Sequence, residues 1–164
     1  LAAGLPAALA LLAAVRERKL RIAFATSAKK QNLKVMQEVS GIDLDEAADL
    51  IVTADDCSES KPAPDLVAAT VAKLHMSPAQ CVLIGDTSFD MQAAKFAGVV
   101  GLGVLTGFQS RQRLLRSGAR AVYKDAAELL AQLEAALQTA SPGTIRLTTQ
   151  VLTELMQQIG RAHV

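Results

Sequence analysis

The sequence predicts an α/β fold, a three-layer Rossmann-like arrangement with a parallel sheet between helices. Short apolar runs alternate with helix-length amphipathic stretches along most of the chain, and that alternation implies parallel strands joined by right-handed crossovers. The hydrophobic share is 51%, mostly Ala, Leu and Val, with 3% aromatic. Such a composition suits parallel strands, which are buried on both faces. No internal repeat is visible, and 164 residues are enough to bury a core in one domain.

The elements follow in order. Leu5, Leu9, Leu12 and Val15 fall at helical spacing, with Pro6 in the first turn, so the apolar N-terminal stretch reads as a core-facing helix. It does not read as a secretion signal, because Arg16, Arg18 and Lys19 follow the apolar run, nor as a membrane span, because it is too short. Arg21 to Ala25 is a strand that ends in Thr26 and Ser27. Lys29 to Val39 reads as a helix, Asp49 to Thr53 as a short strand, and Pro64 to Leu74 as a helix that His75 ends. Cys81 to Ile84 reads as a buried strand, and Asp90 to Ala97 as the helix after it, capped by Thr87. Val99 to Leu105 is a strand, Gln109 to Arg116 a helix, Ala121 to Tyr123 a short edge strand, and Ala126 to Leu137 a final helix. Ser141 to Thr144 has linker composition, and Thr148 to Ile159 carries a helical apolar stripe. The expected division is a core over residues 1–139, then a linker and an extra helix over 140–164.

One stretch carries the most chemistry. Between Ile84 and Met91 the chain reads Gly85-Asp86-Thr-Ser-Phe-Asp90, two carboxylates on a turn at the C-terminal end of a strand. In open α/β sheets ligands bind at that edge. Two carboxylates suit a hard cation such as Mg2+, which takes oxygen ligands and keeps waters for a phosphate. Thr26 and Ser27 close another strand, and Lys61 stands just before a helix start. Hydroxyl, ammonium and acid pair together answer what a phosphoryl group needs: donors, a cation and a metal. Each also has a plainer explanation: a capped acidic surface turn, ordinary strand-end hydroxyls, a solvated loop lysine. Asp43-Leu-Asp45 follows Gly41 and precedes Glu46, so it reads as a helix-capping loop.

On these residues the sequence resembles the haloacid dehalogenase-like (HAD) hydrolases, most of which are phosphatases, in their phosphoglycolate phosphatase branch. Thr26 matches the hydroxyl of the family's second motif, Lys61 in Lys61-Pro-Ala-Pro-Asp65 its third, and Gly85 to Asp90 its fourth. The likeness runs from about Gly4 to about Leu137. It implies a magnesium-dependent phosphatase acting on a small phosphorylated metabolite through an aspartyl-phosphate. Thr26 and Ser27 would hold phosphoryl oxygens, Lys61 would neutralise charge, Asp86 would bind Mg2+, and Asp90 would bind it directly or through water. The family's nucleophile is an aspartate on a first strand, within an Asp-x-Asp motif that no strand end upstream of Thr26 carries. The resemblance therefore implies a core without that first strand and without the cap domain that selects the leaving group. A chain beginning at Leu1 fits a fragment, as does the ending Ile159 to Val164, which resembles the translation of a common sequencing-library adapter and leaves His163 without functional weight.

Three alternatives stand beside this reading. A dehalogenase needs no metal, and Asp86 speaks against it. A receiver-like module places its acids before its hydroxyl and lysine, opposite to the order here. A non-catalytic regulatory relative stays open. The net charge of +1 argues against nucleic acid as the main partner, and Arg111, Arg113, Arg116 and Arg120 fit a solvated helix face. Cys57 and Cys81 form no disulfide framework, Cys81 reads as a packed thiol, and a reducing cytoplasm is the default location.

Overall fold

The structure is a computed structural model and describes residues 4–26, 29–40, 43–56, 65–140 and 146–149. Helix α1 (Gly4–Glu17) leads into strand β1 (Ile22–Ala25), then α2 (Lys30–Ser40), the short α3 (Leu44–Ala47) and β2 (Leu50–Val52). Helix α4 (Asp65–Lys73) precedes β3 (Cys81–Gly85), α5 (Ser88–Ala97), β4 (Val100–Val104), α6 (Arg111–Arg116) and β5 (Ala119–Tyr123). Helices α7 (Ala126–Ala131) and α8 (Leu133–Ala140) follow, and β6 (Arg146–Thr149) closes the described chain. Asp43 caps α3, its carboxylate accepting from the amides of Asp45 and Glu46, as expected of a capping loop.

Among the described residues six strands form one parallel sheet, in the order β2-β1-β6-β3-β4-β5. Strand alternation divides the core between the two faces. Val82 and Ile84 point to one, where Leu11, Val15, Phe24, Leu102 and Leu129 pack. Cys81 and Leu83 point to the other, against Val67, Val71, Met91, Ala94 and Leu114. Helices α1 and α7 therefore cover one face and α4, α5 and α6 the other, which is the expected three-layer form. Cys81 is buried, and its thiol donates to the Ser77 carbonyl at 3.6 Å; Cys57 lies outside the described residues.

Three local expectations need correction. Leu9, expected on the core face of α1, is exposed, and Ala8 and Leu11 pack there with Leu12 and Val15. The stretch Ala126 to Leu137 is two helices, because Gln132 leaves helical geometry at φ −113°, ψ 21°. Thr148 and Thr149, expected at the start of a helix, instead end β6, which lies between β1 and β3. The sheet thus extends past residue 139, and residues 150–164 lie outside the described ones. No described helix is long and apolar enough to cross a membrane.

Candidate active site

Three strand ends meet at the C-terminal edge of the sheet. Ile22 and Val82 both pair with Leu147, Ala23 and Leu83 with Thr148, and Phe24 and Ile84 with Thr149. Two positions further on, Thr26 and Asp86 stand at the same level. They are two strand spacings apart, roughly 10 Å between backbones. Thr26 is 5% exposed, and its amide continues the ladder to the Val52 carbonyl at 3.0 Å. Asp86 is 2% exposed. Its place at the ligand-binding edge of the sheet points to function.

Asp90 shapes the turn that presents Asp86. It too is 2% exposed. Its Oδ2 accepts from the amides of Asp86 (3.1 Å) and Thr87 (3.2 Å), while its own amide donates to Thr87 Oγ1 at 3.1 Å. This is a capping box with Asp in the third helical position. Thr87 therefore caps α5 as the sequence predicts, and one Asp90 oxygen is committed to the backbone. Glycine at 85 is what lets Asp90 fold back, since a Cβ there would lie 2.5 Å from Asp90 Cβ. Gly107, after β4, plays the same part for Asp86: a Cβ there would come within 2.7 Å of the Asp86 carboxylate and carbonyl.

On the neighbouring strand β2, Thr53 is buried and ends level with Thr26, but it serves a local turn. Its amide donates to Asp56 Oδ2 at 2.8 Å and its hydroxyl to the same oxygen at 3.2 Å. Lys73 and Lys30 approach Asp56 Oδ1 at 3.4 and 3.8 Å. The Thr53 amide above all, with Lys73 assisting, holds the Asp56 carboxyl below its ordinary range. Asp56 belongs to this structural knot.

Thr26, Asp86 and Asp90 thus share one edge, while Ser27 and Lys61 lie outside the described residues. His75 sits at the end of α4, exposed and left-handed at φ 56°, away from this edge's chemistry. The sequence reading missed Gly107 and Gln109, whose side-chain Oε1 accepts from the Ser88 amide at 2.6 Å. Gly107 had a signal, a Thr-Gly pair after a strand ending on the same edge; Gln109 had none. Among the described residues no three His, Cys, Asp or Glu side chains converge as a metal cluster. Magnesium does not need one: one or two carboxylates suffice, with water and phosphate completing its shell. A buried strand-end Asp86 fits that requirement.

Comparison with known proteins bears on what this edge is for. The family model of the haloacid dehalogenase-like hydrolases matches residues 4–104. The phosphoglycolate phosphatase of Rhodospirillum rubrum is 32% identical over 124 residues, covering 76% of this chain and 50% of that protein. A phosphorylated carbohydrates phosphatase of Thermotoga maritima is 27% identical over 111 residues, 67% of this chain and 50% of its own length. Among solved structures, a hydrolase from Pseudomonas syringae superposes with a TM-score of 0.72 at 34% identity, over 79% of this chain and 61% of that one. The chain spans about half the length of these curated relatives. Its matched region runs through β1, β3 and the Asp86–Asp90 turn, and the chain belongs to the haloacid dehalogenase-like hydrolases.

Proposed function

We propose that this chain is the core of a magnesium-dependent phosphatase for small phosphorylated metabolites, phosphorylated sugars or phosphoglycolate among them. The observation that carries the reading is the buried Asp86 carboxylate at the same sheet level as Thr26. The phosphatase names of the relatives support the substrate class. In this reading Thr26 and Ser27 donate to phosphoryl oxygens, and Lys61 offsets their charge. Asp86 holds Mg2+, and Asp90 orients Asp86 through the shared turn, with its role at the metal direct or through water. The metal, when bound, supplies positive charge against the phosphoryl oxygens. The covalent step requires a nucleophilic aspartate, and this chain alone is proposed to be inactive for want of one.

A non-catalytic relative is the second reading, and β6 favours it. The strand between Thr26 and Asp86 reads Arg146-Leu-Thr-Thr149 and carries no acid. One experiment separates the two. The complete reading frame around this chain is assayed with p-nitrophenyl phosphate and phosphorylated sugars, with and without Mg2+. The phosphatase reading expects metal-dependent hydrolysis that Asp86→Asn abolishes. No hydrolysis of any of these by the complete protein would favour the regulatory role. Turnover by the 164-residue chain, lost in Asp86→Asn, would show a nucleophile within it.

A further inference from the structure

The loop after β4 lies against the acid turn from the side. Leu105–Gly107 form a 3-10 turn, and Phe108 follows with left-handed φ 67°. Strain of that kind persists where the surroundings over-determine the backbone. Phe108 is 83% exposed, so burial of its ring does not explain it. Contacts to the acid turn flank it on either side. Gly107 abuts Asp86 so closely that a Cβ would come within 2.7 Å of its carboxylate. Gln109 turns back so that Oε1 accepts from Ser88 N at 2.6 Å.

Ser88 is the first residue of α5, and first-turn amides have no partner within their helix. In the turn, the amides of Asp86, Thr87 and Asp90 are satisfied by Thr87 and Asp90 themselves. The Ser88 amide is satisfied from 21 positions away. A short, cross-segment hydrogen bond therefore joins the loop to the start of α5, the helix that carries Asp90 and directly follows the Asp86 turn.

We propose that Gln109 is a positioning residue for Asp86, latching the loop over residues 105–110 to the start of α5 so that Gly107 braces the Asp86 carboxylate. Its functional weight rests on the reading of Asp86 as a phosphatase metal ligand; the latch itself does not. A residue held in this way preorganises its carboxylate before any ligand arrives.

The test uses the 164-residue chain with no metal or substrate, so its result is independent of whether the protein is a phosphatase. Wild type, Gln109→Met and Gln109→Glu are compared by amide hydrogen exchange and by the side-chain carboxyl 13C resonance of Asp86. Met keeps the length and removes the acceptor; Glu keeps an acceptor oxygen. In Gln109→Met the Ser88 amide should exchange about fivefold to tenfold faster, as loss of one hydrogen bond implies. The Asp86 resonance should shift, while Leu83 in the core of β3 stays protected. Gln109→Glu should restore Ser88 protection and return the Asp86 resonance toward wild type. Unchanged Ser88 exchange in Gln109→Met overturns the latch. Faster exchange with an unmoved Asp86 resonance, or no rescue by Glu, overturns the positioning role.

Discussion

Replacing Gly85 by alanine tests the geometry of the acid turn most directly. The new Cβ would lie 2.5 Å from Asp90 Cβ, 2.7 Å from Oδ2 and 2.8 Å from Cγ. Asp90 Cβ is fixed to the backbone of α5, so the clash cannot be relieved by a rotamer change alone. Overpacking of this kind costs about 1–3 kcal/mol. Moving Asp90 also weakens its bonds from the amides of Asp86 and Thr87, and losing one such bond to a carboxylate costs about 1.5–3 kcal/mol. The stiffer unfolded chain returns about 0.4–1 kcal/mol. The net loss is roughly 3 kcal/mol, which lowers Tm by about 6–12 °C in a domain of this size. A thermal melt followed by circular dichroism reads it. The cause is checked in an Asp90→Gly background, where no Cβ remains to be struck. There Gly85→Ala should cost less than about 1 kcal/mol, a coupling that additivity would not give. Asp90→Ala is the wrong control, because it leaves that Cβ in place. A Gly85→Ala chain that melts within about 2 °C of wild type, or the same loss in both backgrounds, would refute the close approach of Asp90.

The other predictions concern the cap, the acid response and the metal. Thr87→Ala removes the acceptor for the Asp90 amide and should cost about 1 kcal/mol, read as a lower Tm with α5 frayed at its start. Asp56, held below its ordinary range by the Thr53 amide and Lys73, contributes stability that is complete above the unfolded carboxylate value, near pH 4, and is lost as pH falls through the lowered folded one. The Tm gap between wild type and Asp56→Asn should therefore narrow as pH is lowered below about 4, and a gap constant from pH 7 to pH 2 would contradict it. In the complete protein, millimolar Mg2+ should raise Tm by mass action; Asp86→Asn should weaken that response strongly and Asp90→Asn less. An equal magnesium shift in wild type and Asp86→Asn would rule Asp86 out as the ligand.

Much of the frame was legible because its signals are local. Cys81 to Ile84 is an unbroken apolar run, and Thr87 with Asp90 spells a capping box three residues long in reach, so β3, α5 and the turn between them follow from neighbours alone. The edge position of β5 also agrees with its short apolar run. What was not legible depends on distant partners. Strand β6 has only Leu147 and two threonines to advertise it, and the helical stripe that begins at Val151 outweighed them; a central strand is recognised by the strands on either side. The steric reason for glycine at 85 and 107 appears only once an acid is folded against each. Gln109 reads as the start of a helix, and nothing along the chain connects it to Ser88.

The place of β6 determines the order in which the sheet can be completed. Before Arg146–Thr149 arrives, β1 pairs only with β2, and β3 only with the β4-β5 side. In this chain two half-sheets then face each other with bare inner edges, although all five of their strands precede residue 146. Joining them brings Leu147 beside Ile22, a contact across almost the whole chain, and pairings so remote in sequence are the slow ones. When this chain refolds, the two open edges wait on the last described strand. Unpaired strands of that kind also join edges of other molecules. Truncation of this chain just before residue 146 should therefore show itself first as aggregation on refolding, rising more steeply than linearly with chain concentration.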